Sequence, residues 1–242
     1  MAARGCDAMS ALDLLGFGPD GWGPMLLRGV ATTIALSVTS MAIGTLLGGL
    51  LAWGRLRGPG PVRVASAAYG VVLRGVPELL VILLLYFGLP TLIGWIAQAL
   101  GFAAPPTAPA FLLGALSIGL VSAAYQAEVF RGGVAAVPRG QMEAARAFGL
   151  GEGMAFRRVL APQLLRVTLP ALGNVWQFNL KDSALVSVTG LSELMRTSLV
   201  GAGSTRQPFL FFAAAIVLYL ALTSVSDAGF RALNRRVDRG TA

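Results

Sequence analysis

Lys181 and Asp182 are adjacent ionisable residues near the middle of a largely apolar stretch. A lysine can hold a carboxylate and an aspartate can hold an ammonium group, so together they could bind a zwitterion. Neighbouring residues point about 100° apart on a helix. They therefore cannot both point away from a central cavity. Asp182 is the first candidate for contact with a cationic group, with Ser183 and Ser187 on the same face. A purely structural ion pair that stabilises a helix bundle remains the alternative.

Four further charged positions lie close to apolar segments. Arg74 and Glu78 are four residues apart, which places them on one helix face. We interpret them as a structural charge pair beside a kink at Pro77. Glu128 precedes Arg131 by three residues and predicts an interfacial ion pair. Nearby aromatic residues such as Tyr125 are expected to serve as interface anchors.

The composition excludes several kinds of chemistry. There is no histidine, and Cys6 is the single cysteine. Ser-His-Asp hydrolysis, histidine metal sites, intrachain disulfides and cysteine metal clusters are therefore excluded. Lys181 is the single lysine and follows Leu180, so the sequence has no Walker A loop. If the protein performs ATP-driven work, another chain must bind the nucleotide.

The elements that carry these residues are predicted to be membrane helices. The 242 residues are 55% hydrophobic and 12% charged, with a mean hydropathy of +0.72. A bilayer is crossed by about 20 apolar residues in a helix. The predicted fold class is all-α and polytopic, with about five spans, at 30–53, 65–93, 110–130, 169–191 and 208–230. We expect an extracytoplasmic segment at 1–25, a transmembrane domain at 26–232, a cytoplasmic loop at 131–168 and a cytoplasmic tail at 233–242.

The arginines predict the orientation of these spans. Five spans place the termini on opposite sides, and the loops at 54–64 and 131–168 and the tail share one arginine-rich face. The other face has only Arg4, Arg28, Arg196 and Arg206. Arginine-rich loops remain in the cytoplasm, so the N-terminus is predicted outside and the C-terminus inside. The net charge of +8 is explained in this way, without nucleic acid as a partner.

The cytoplasmic loop contains the most specific pattern. Pro138 suits the start of a helix, Glu143 lies favourably in its first half, and Gly149 provides a C-terminal stop. The predicted helix has a surface of small alanines that could lie in a groove of a partner. An amphipathic connector on the membrane surface is the alternative.

This loop resembles the EAA loop of the membrane subunits of binding-protein-dependent ABC importers. The matching residues are Glu143, Ala144, Ala145, Gly149 and Pro162. Ala161 departs from the leucine that usually precedes the proline. In that family the loop forms a coupling helix that docks in a cleft of the ATPase subunit.

Three longer segments, at 74–90, 123–141 and 179–196, resemble the polar amino acid permeases, in their histidine, arginine and opine branch. The resemblance implies the ABC type I importer permease fold and an inner-membrane location. It also implies two ATP-binding subunits, an extracytoplasmic solute-binding protein and a second permease chain, which is either a similar heterologous chain or a second copy. No cofactor is expected on this chain, because ATP and Mg²⁺ would belong to the ATPase.

The predicted function is therefore import of polar amino acids, basic ones in particular, or of opines, by alternating access. A secondary transporter or channel driven by an ion gradient would also have several spans and buried charges, but it would need no EAA-like loop. An intramembrane enzyme is a weaker alternative, because no catalytic serine motif or histidine is present.

Overall fold

The structure is a computed structural model that describes residues 11–19, 21–102 and 109–239. These ranges are helical, and no strand lies within them. The helices are α1 (Ala11–Leu15), α2 (Gly23–Arg57), α3 (Gly60–Gly75), α4 (Glu78–Ala99), α5 (Ala110–Ala136), α6 (Arg139–Ala147), α7 (Ala161–Asp182), α8 (Leu194–Thr205) and α9 (Pro208–Arg239). A π turn, Leu84–Gly88, lies inside α4. Two short helical turns, Glu152–Ala155 and Phe156–Leu160, lead into α7, and a 3-10 turn, Ser183–Thr189, follows it.

Four helices in the described ranges are long and apolar enough to cross a membrane: α2, α4, α5 and α9. The predicted span at 169–191 is different. It corresponds to the second half of α7 and the following turn, and α7 carries Arg166, Lys181 and Asp182. Its charged residues, together with polar ones such as Gln163 and Asn174, leave α7 less apolar than these four helices. It nevertheless packs against α5, α9 and α2 inside the bundle.

The centre of the bundle is the long contact between α2 and α5. Gly44 and Gly48 lie on the face of α2 that meets Gln126. A Cβ atom at Gly48 would lie 2.9 Å from the Gln126 Cβ and 3.0 Å from the Ala123 carbonyl oxygen, whereas one at Gly49 would meet nothing within 4 Å. Small residues four positions apart therefore allow the two backbones to approach closely.

Apolar and polar layers alternate along this contact. Leu36, Ile82, Ala115, Ile118 and Val186 form a buried apolar cluster. A polar layer follows at Gln126, which accepts a 2.8 Å hydrogen bond from Thr45 and donates one of 3.0 Å to Ser122. Both the oxygen and the nitrogen of the buried Gln126 amide therefore have hydrogen-bond partners, as buried polar groups require.

The second predicted span, 65–93, is corrected by the structure. The helix is broken at Val76 and Pro77, which separate α3 from α4, and the chain then stays helical to Ala99. Val76 is extended, at φ −108° and ψ 144°. Proline disfavours the α conformation of the preceding residue and has no N–H for the helix. Gly101, with φ 78°, follows the end of α4. Pro105 and Pro106 of the predicted loop lie outside the described residues.

Other helices extend beyond the predicted spans. The 35 residues of α2 measure about 52 Å, against about 30 Å for the apolar part of a bilayer, so both ends project from it. In the same way α5 continues to Ala136, inside the predicted loop at 131–168, and α7 begins at Ala161, before the predicted start at 169. Of the predicted N-terminal segment at 1–25, the structure describes residues 11–19 and 21–25. Residues 1–10, with Cys6, lie outside the described residues.

Candidate functional site

Two interruptions of helical structure meet inside the bundle. One is the break at Val76 and Pro77, after which α4 begins at Glu78. The other follows Asp182, where α7 gives way to the 3-10 turn that ends at Gly190, with φ 92°. The start of α4 packs against this turn. Discontinuous helices at membrane depth commonly form solute and ion sites, because their free ends present polar groups.

Asp182 and Glu78 bring two carboxyl groups together at this junction. Asp182 is buried, at 7% exposure, and its carboxyl group lies close enough to that of Glu78 for the two groups to interact electrostatically. The hydroxyl group of Tyr125 donates a 2.8 Å hydrogen bond to Glu78. Two carboxylates at such short range repel each other unless they share a proton or a cation. The arrangement is therefore suited to binding a cationic group.

Aromatic rings form one side of the same junction. Tyr125 lies about midway along α5, and its ring centre is 5.9 Å from that of Phe178 on α7. Phe178 is 45% exposed, and Lys181, one turn further on, is also exposed. Ring faces attract cations, so the Phe178 ring would favour the same cationic group as the two carboxylates. The interface role expected for Tyr125 is corrected: the residue lies about midway along α5 and donates a hydrogen bond to Glu78.

Ser183 and Ser187 are both buried at the junction. The Ser183 hydroxyl donates a 2.7 Å hydrogen bond to the Leu180 carbonyl oxygen, and the Ser187 carbonyl accepts one from the Gly190 N–H. In this conformation they satisfy the backbone where α7 ends.

The expected Arg74–Glu78 pair is also corrected. The two residues belong to different helices, since α3 ends at Gly75, and each has another partner. Arg74 donates to the Gly70 carbonyl oxygen at 2.9 Å and to Glu128 at 3.3 Å. The i, i+4 rule fails here because it assumes a continuous helix.

Glu128 is the centre of an ion cluster. Its carboxylate contacts three guanidinium groups, those of Arg131 at 2.8 Å, Arg74 at 3.3 Å and Arg55. The pair with Arg131 was expected from the sequence, whereas the links to α2 and α3 were not. We call these four residues the Glu128 cluster. It ties the ends of α2, α3 and α5 together.

The second candidate site is α6, the helix predicted in the cytoplasmic loop. Gly149 has φ 77°, the Gly149 N–H bonds to the Arg146 carbonyl and the Leu150 N–H bonds to the Ala145 carbonyl. These bonds form a Schellman motif, for which glycine is favoured. The start near Pro138 and the stop at Gly149 agree with the sequence prediction.

The faces of α6 differ sharply. Ala145 is buried at 4% exposure, whereas Glu143 and Ala144 are exposed. Phe148 is 87% exposed, which is unusual for an aromatic side chain outside the membrane. The outer face of α6 therefore presents a glutamate, a small residue and a free aromatic ring.

Two polar contacts connect α6 to the segment that follows it, one to the short turn Glu152–Ala155 and one to the first turn of α7. Arg146 donates a 2.6 Å hydrogen bond to Glu152, and this bond holds the pKa of the Glu152 carboxyl below its usual range. Gln163 donates a 3.2 Å hydrogen bond to Gln141. Pro162, beside Gln163, is exposed and lies in the first turn of α7. The Gln163 contact links α6 to the helix that carries Asp182.

Glu193 is the residue that sequence reasoning missed most clearly. It is fully buried and caps α8 by accepting hydrogen bonds from the N–H groups of Met195 at 2.8 Å and Arg196 at 2.6 Å. Its carboxylate also accepts from Tyr219 at 3.0 Å and Thr33 at 3.3 Å. A carboxylate between two apolar stretches, just before a helix, was the available signal.

Comparison with known proteins gives consistent results. Residues 44–239 match the family described as binding-protein-dependent transport system inner membrane component. The chain is 49% identical to the octopine transport system permease protein OccQ of Rhizobium meliloti, over 96% of this chain and 98% of that protein. It is 34% identical to the histidine/lysine/arginine/ornithine transport system permease protein HisQ of Escherichia coli K12, over 91% and 96% of the two chains.

Solved structures show the same fold. The chain superposes on an amino acid ABC transporter crystallised with histidines with a TM-score of 0.74, at 32% identity, over 89% of this chain and 95% of that one. An inward-facing MetNI methionine ABC transporter superposes with a TM-score of 0.66 at 20% identity. The predicted fold class, an all-α ABC type I importer permease fold, is confirmed.

Proposed function

The chain belongs to the family of binding-protein-dependent transport system inner membrane components, and from this premise we propose that it imports basic amino acids or opines. It is a multi-pass permease subunit of the inner membrane. The observation that carries the substrate class is the meeting of Asp182 and Glu78 between two interrupted helices.

The site chemistry suits a solute with an additional cationic group. Asp182 and Glu78 would hold an ammonium or guanidinium group, with the Phe178 ring on one side. Lys181, exposed beside Asp182, would take the solute carboxylate. Ser183 and Ser187 would stabilise the 3-10 turn that follows Asp182. HisQ of Escherichia coli, which serves histidine, lysine, arginine and ornithine, is in keeping with this proposal.

The coupling proposal rests on α6. Glu143, Ala144, Ala145 and Gly149 would form a helix whose outer face, with Phe148, docks in a cleft of the ATPase. Pro162 would begin the helix that receives the movement. The contact from Gln163 to Gln141 would connect the two helices, and the contact from Arg146 to Glu152 would hold the turn between them. ATP and Mg²⁺ would be held by the ATPase, since this sequence has no Walker A loop.

Transport would proceed by alternating access. ATP binding and release shift the equilibrium between two packings of the bundle through their different affinities for the two states. The proposed assembly contains two ATP-binding subunits, an extracytoplasmic solute-binding protein and a second permease chain. A similar heterologous chain is favoured over a second copy by the branch to which the sequence is similar. Purification of a tagged chain with its partners, followed by intact-mass measurement, distinguishes these two arrangements.

Uptake by reconstituted vesicles tests the proposal. The complex should accumulate radiolabelled arginine or an opine when ATP is supplied on the cytoplasmic side and the loaded binding protein on the other. A proton or sodium gradient without ATP should drive no uptake. Gradient-driven uptake would instead indicate a secondary transporter, and uptake of neutral but not basic amino acids would reject the substrate class.

A further inference from the structure

A groove of about 500 Å³ lies between α2, α3 and α5, next to the Glu128 cluster. Three arginines line it, Arg55, Arg63 and Arg131, and the remaining wall is apolar, with Leu56, Val64 and Ala135. All lie near the last turns of α2 and α5 or the first turn of α3. These ends share the arginine-rich face that is predicted to be cytoplasmic.

The groove has more positive charge than its protein neighbours neutralise. Glu128 is one carboxylate shared by the guanidinium groups of Arg55, Arg74 and Arg131. Arg63 belongs to no ion pair with it, and its hydrogen bond goes to the backbone carbonyl of Gly58 at 3.4 Å. Glu152, another acid on this face, is engaged by Arg146 and Arg57. The one negative charge of Glu128 is therefore outnumbered by the positive charges of four arginines, Arg55, Arg63, Arg74 and Arg131.

The cluster arginines are also partly withdrawn from water. The side chains of Arg55 and Arg131 are 30% and 40% exposed. Partly desolvated guanidinium groups that face an open groove favour an anion, and their planar donors match the geometry of phosphate oxygens. An anion in this groove would balance the excess charge of the cluster.

The apolar wall indicates which anion is suitable. Val64 is 69% exposed beside the arginines, and Trp53, one turn before Arg57 on α2, is 61% exposed. Tryptophan at the end of a membrane helix is typical of the headgroup level. A groove that is basic at one side and apolar at the other, at this depth, fits a headgroup with attached acyl chains. A free phosphate ion would use only the basic side.

We propose that this groove is a binding site for an anionic phospholipid of the cytoplasmic leaflet. The lipid phosphate lies among Arg55, Arg63 and Arg131, and an acyl chain follows the apolar surface of Val64. Basic grooves between membrane helices on the cytoplasmic side are suited to such headgroups. The bound lipid would stabilise the contact between α2, α3 and α5 at the end where the Glu128 cluster closes it.

Native mass spectrometry of the purified full-length chain, titrated with phosphatidylglycerol, tests the site. Arg63→Gln should weaken binding about fivefold, as expected for one arginine near an anionic headgroup. Arg63→Lys should retain most of the affinity because it keeps the charge. Arg235→Gln, which removes an exposed arginine of α9 outside the groove, is the matched control and should leave binding unchanged. Arg63 is exposed, so these substitutions should not impair folding.

Several outcomes would overturn the proposal. Equal binding of phosphatidylcholine would show that the charge is irrelevant. Equal loss in the Arg63→Gln and Arg235→Gln variants would show that the groove is not the site. Displacement of the lipid by glycerol 3-phosphate at the same concentration would identify a free-phosphate site. Loss of the Arg63-dependent lipid upon assembly with the ATPase would assign the groove to the protein partner. Lipid binding is measured without transport, so its outcome is independent of the proposed function.

Discussion

The hydroxyl group of Tyr125, midway along α5, donates a 2.8 Å hydrogen bond to Glu78, the first residue of α4. This contact fixes the Glu78 carboxyl beside Asp182. Tyr125, Glu78 and Asp182 thus bring α5, α4 and α7 together, where helical structure is interrupted before Glu78 and after Asp182. The position of the proposed cation site therefore depends on a tyrosine that the sequence alone predicts to be an interface anchor.

Tyr125→Phe should weaken solute recognition without unfolding the bundle. The ring and its contact with Phe178 remain, but Glu78 loses a donor and its fixed position. A hydrogen bond to a charged group is worth roughly tenfold in an equilibrium constant, so KM for uptake should rise by about that factor. Tyr69→Phe, which removes a 2.7 Å bond to the Leu120 carbonyl away from the site, is the control. Equal KM values for wild type and Tyr125→Phe would remove Tyr125 from the site.

Glu193→Ala should destabilise the protein strongly. It removes the cap of α8 and leaves Tyr219 and two backbone N–H groups without their acceptor in a buried region. A lost cap together with unsatisfied buried donors costs about 3 kcal/mol. Thermal unfolding in detergent measures the loss. Glu143→Ala, which removes an exposed glutamate, should unfold at the wild-type temperature. Similar unfolding temperatures for both variants would contradict the role of Glu193.

Gly48→Ala and Gly49→Ala form a matched pair in α2. The added Cβ at Gly48 would meet the Ala123 carbonyl oxygen at 3.0 Å, which is backbone and cannot move aside, whereas at Gly49 it would meet nothing within 4 Å. Overpacking of this kind costs about 1–3 kcal/mol. Gly48→Ala should therefore lower the unfolding temperature and Gly49→Ala should not. The reverse order would mean that α2 faces α5 with a different surface.

Gly149→Leu should uncouple transport from ATP hydrolysis. A non-glycine residue in the left-handed conformation costs about 1–2 kcal/mol, so the Schellman motif would open and α6 would lose its defined end. We expect wild-type amounts of protein in the membrane but greatly reduced ATP-driven uptake. Gly153→Ala, at a helical glycine with nothing within 4 Å of its Cβ, should transport normally. Normal uptake by Gly149→Leu would reject α6 as the coupling helix.

The sequence predicted features that depend on local rules. The α6 boundaries follow from Pro138 and Gly149. The break before Pro77 also obeys a local rule, since proline restricts the preceding residue. The sequence interpretation instead treated 65–93 as continuous, and that error produced the false Arg74–Glu78 pair.

Features that depend on tertiary packing could not be predicted in this way. Glu78 and Asp182 lie on helices far apart in the chain, and no periodic pattern relates their positions. The same holds for Glu193 and Tyr219, and for the two additional arginines around Glu128. Each of these polar groups is costly to bury alone, so its partner is decided by which helices pack together.

Contact between Asp182 and a basic solute is tested by the ATPase activity of the reconstituted complex. The measurement compares wild type, Asp182→Asn and Asp227→Asn, each with binding protein loaded from a panel of amino acids. Asp227 is an exposed aspartate paired with Arg231 on α9, so its substitution is the control. We predict that basic amino acids stimulate wild type and Asp227→Asn, and that this stimulation is lost in Asp182→Asn. Equal stimulation of Asp182→Asn and wild type would contradict the account and leave Lys181 and Asp182 with a structural role.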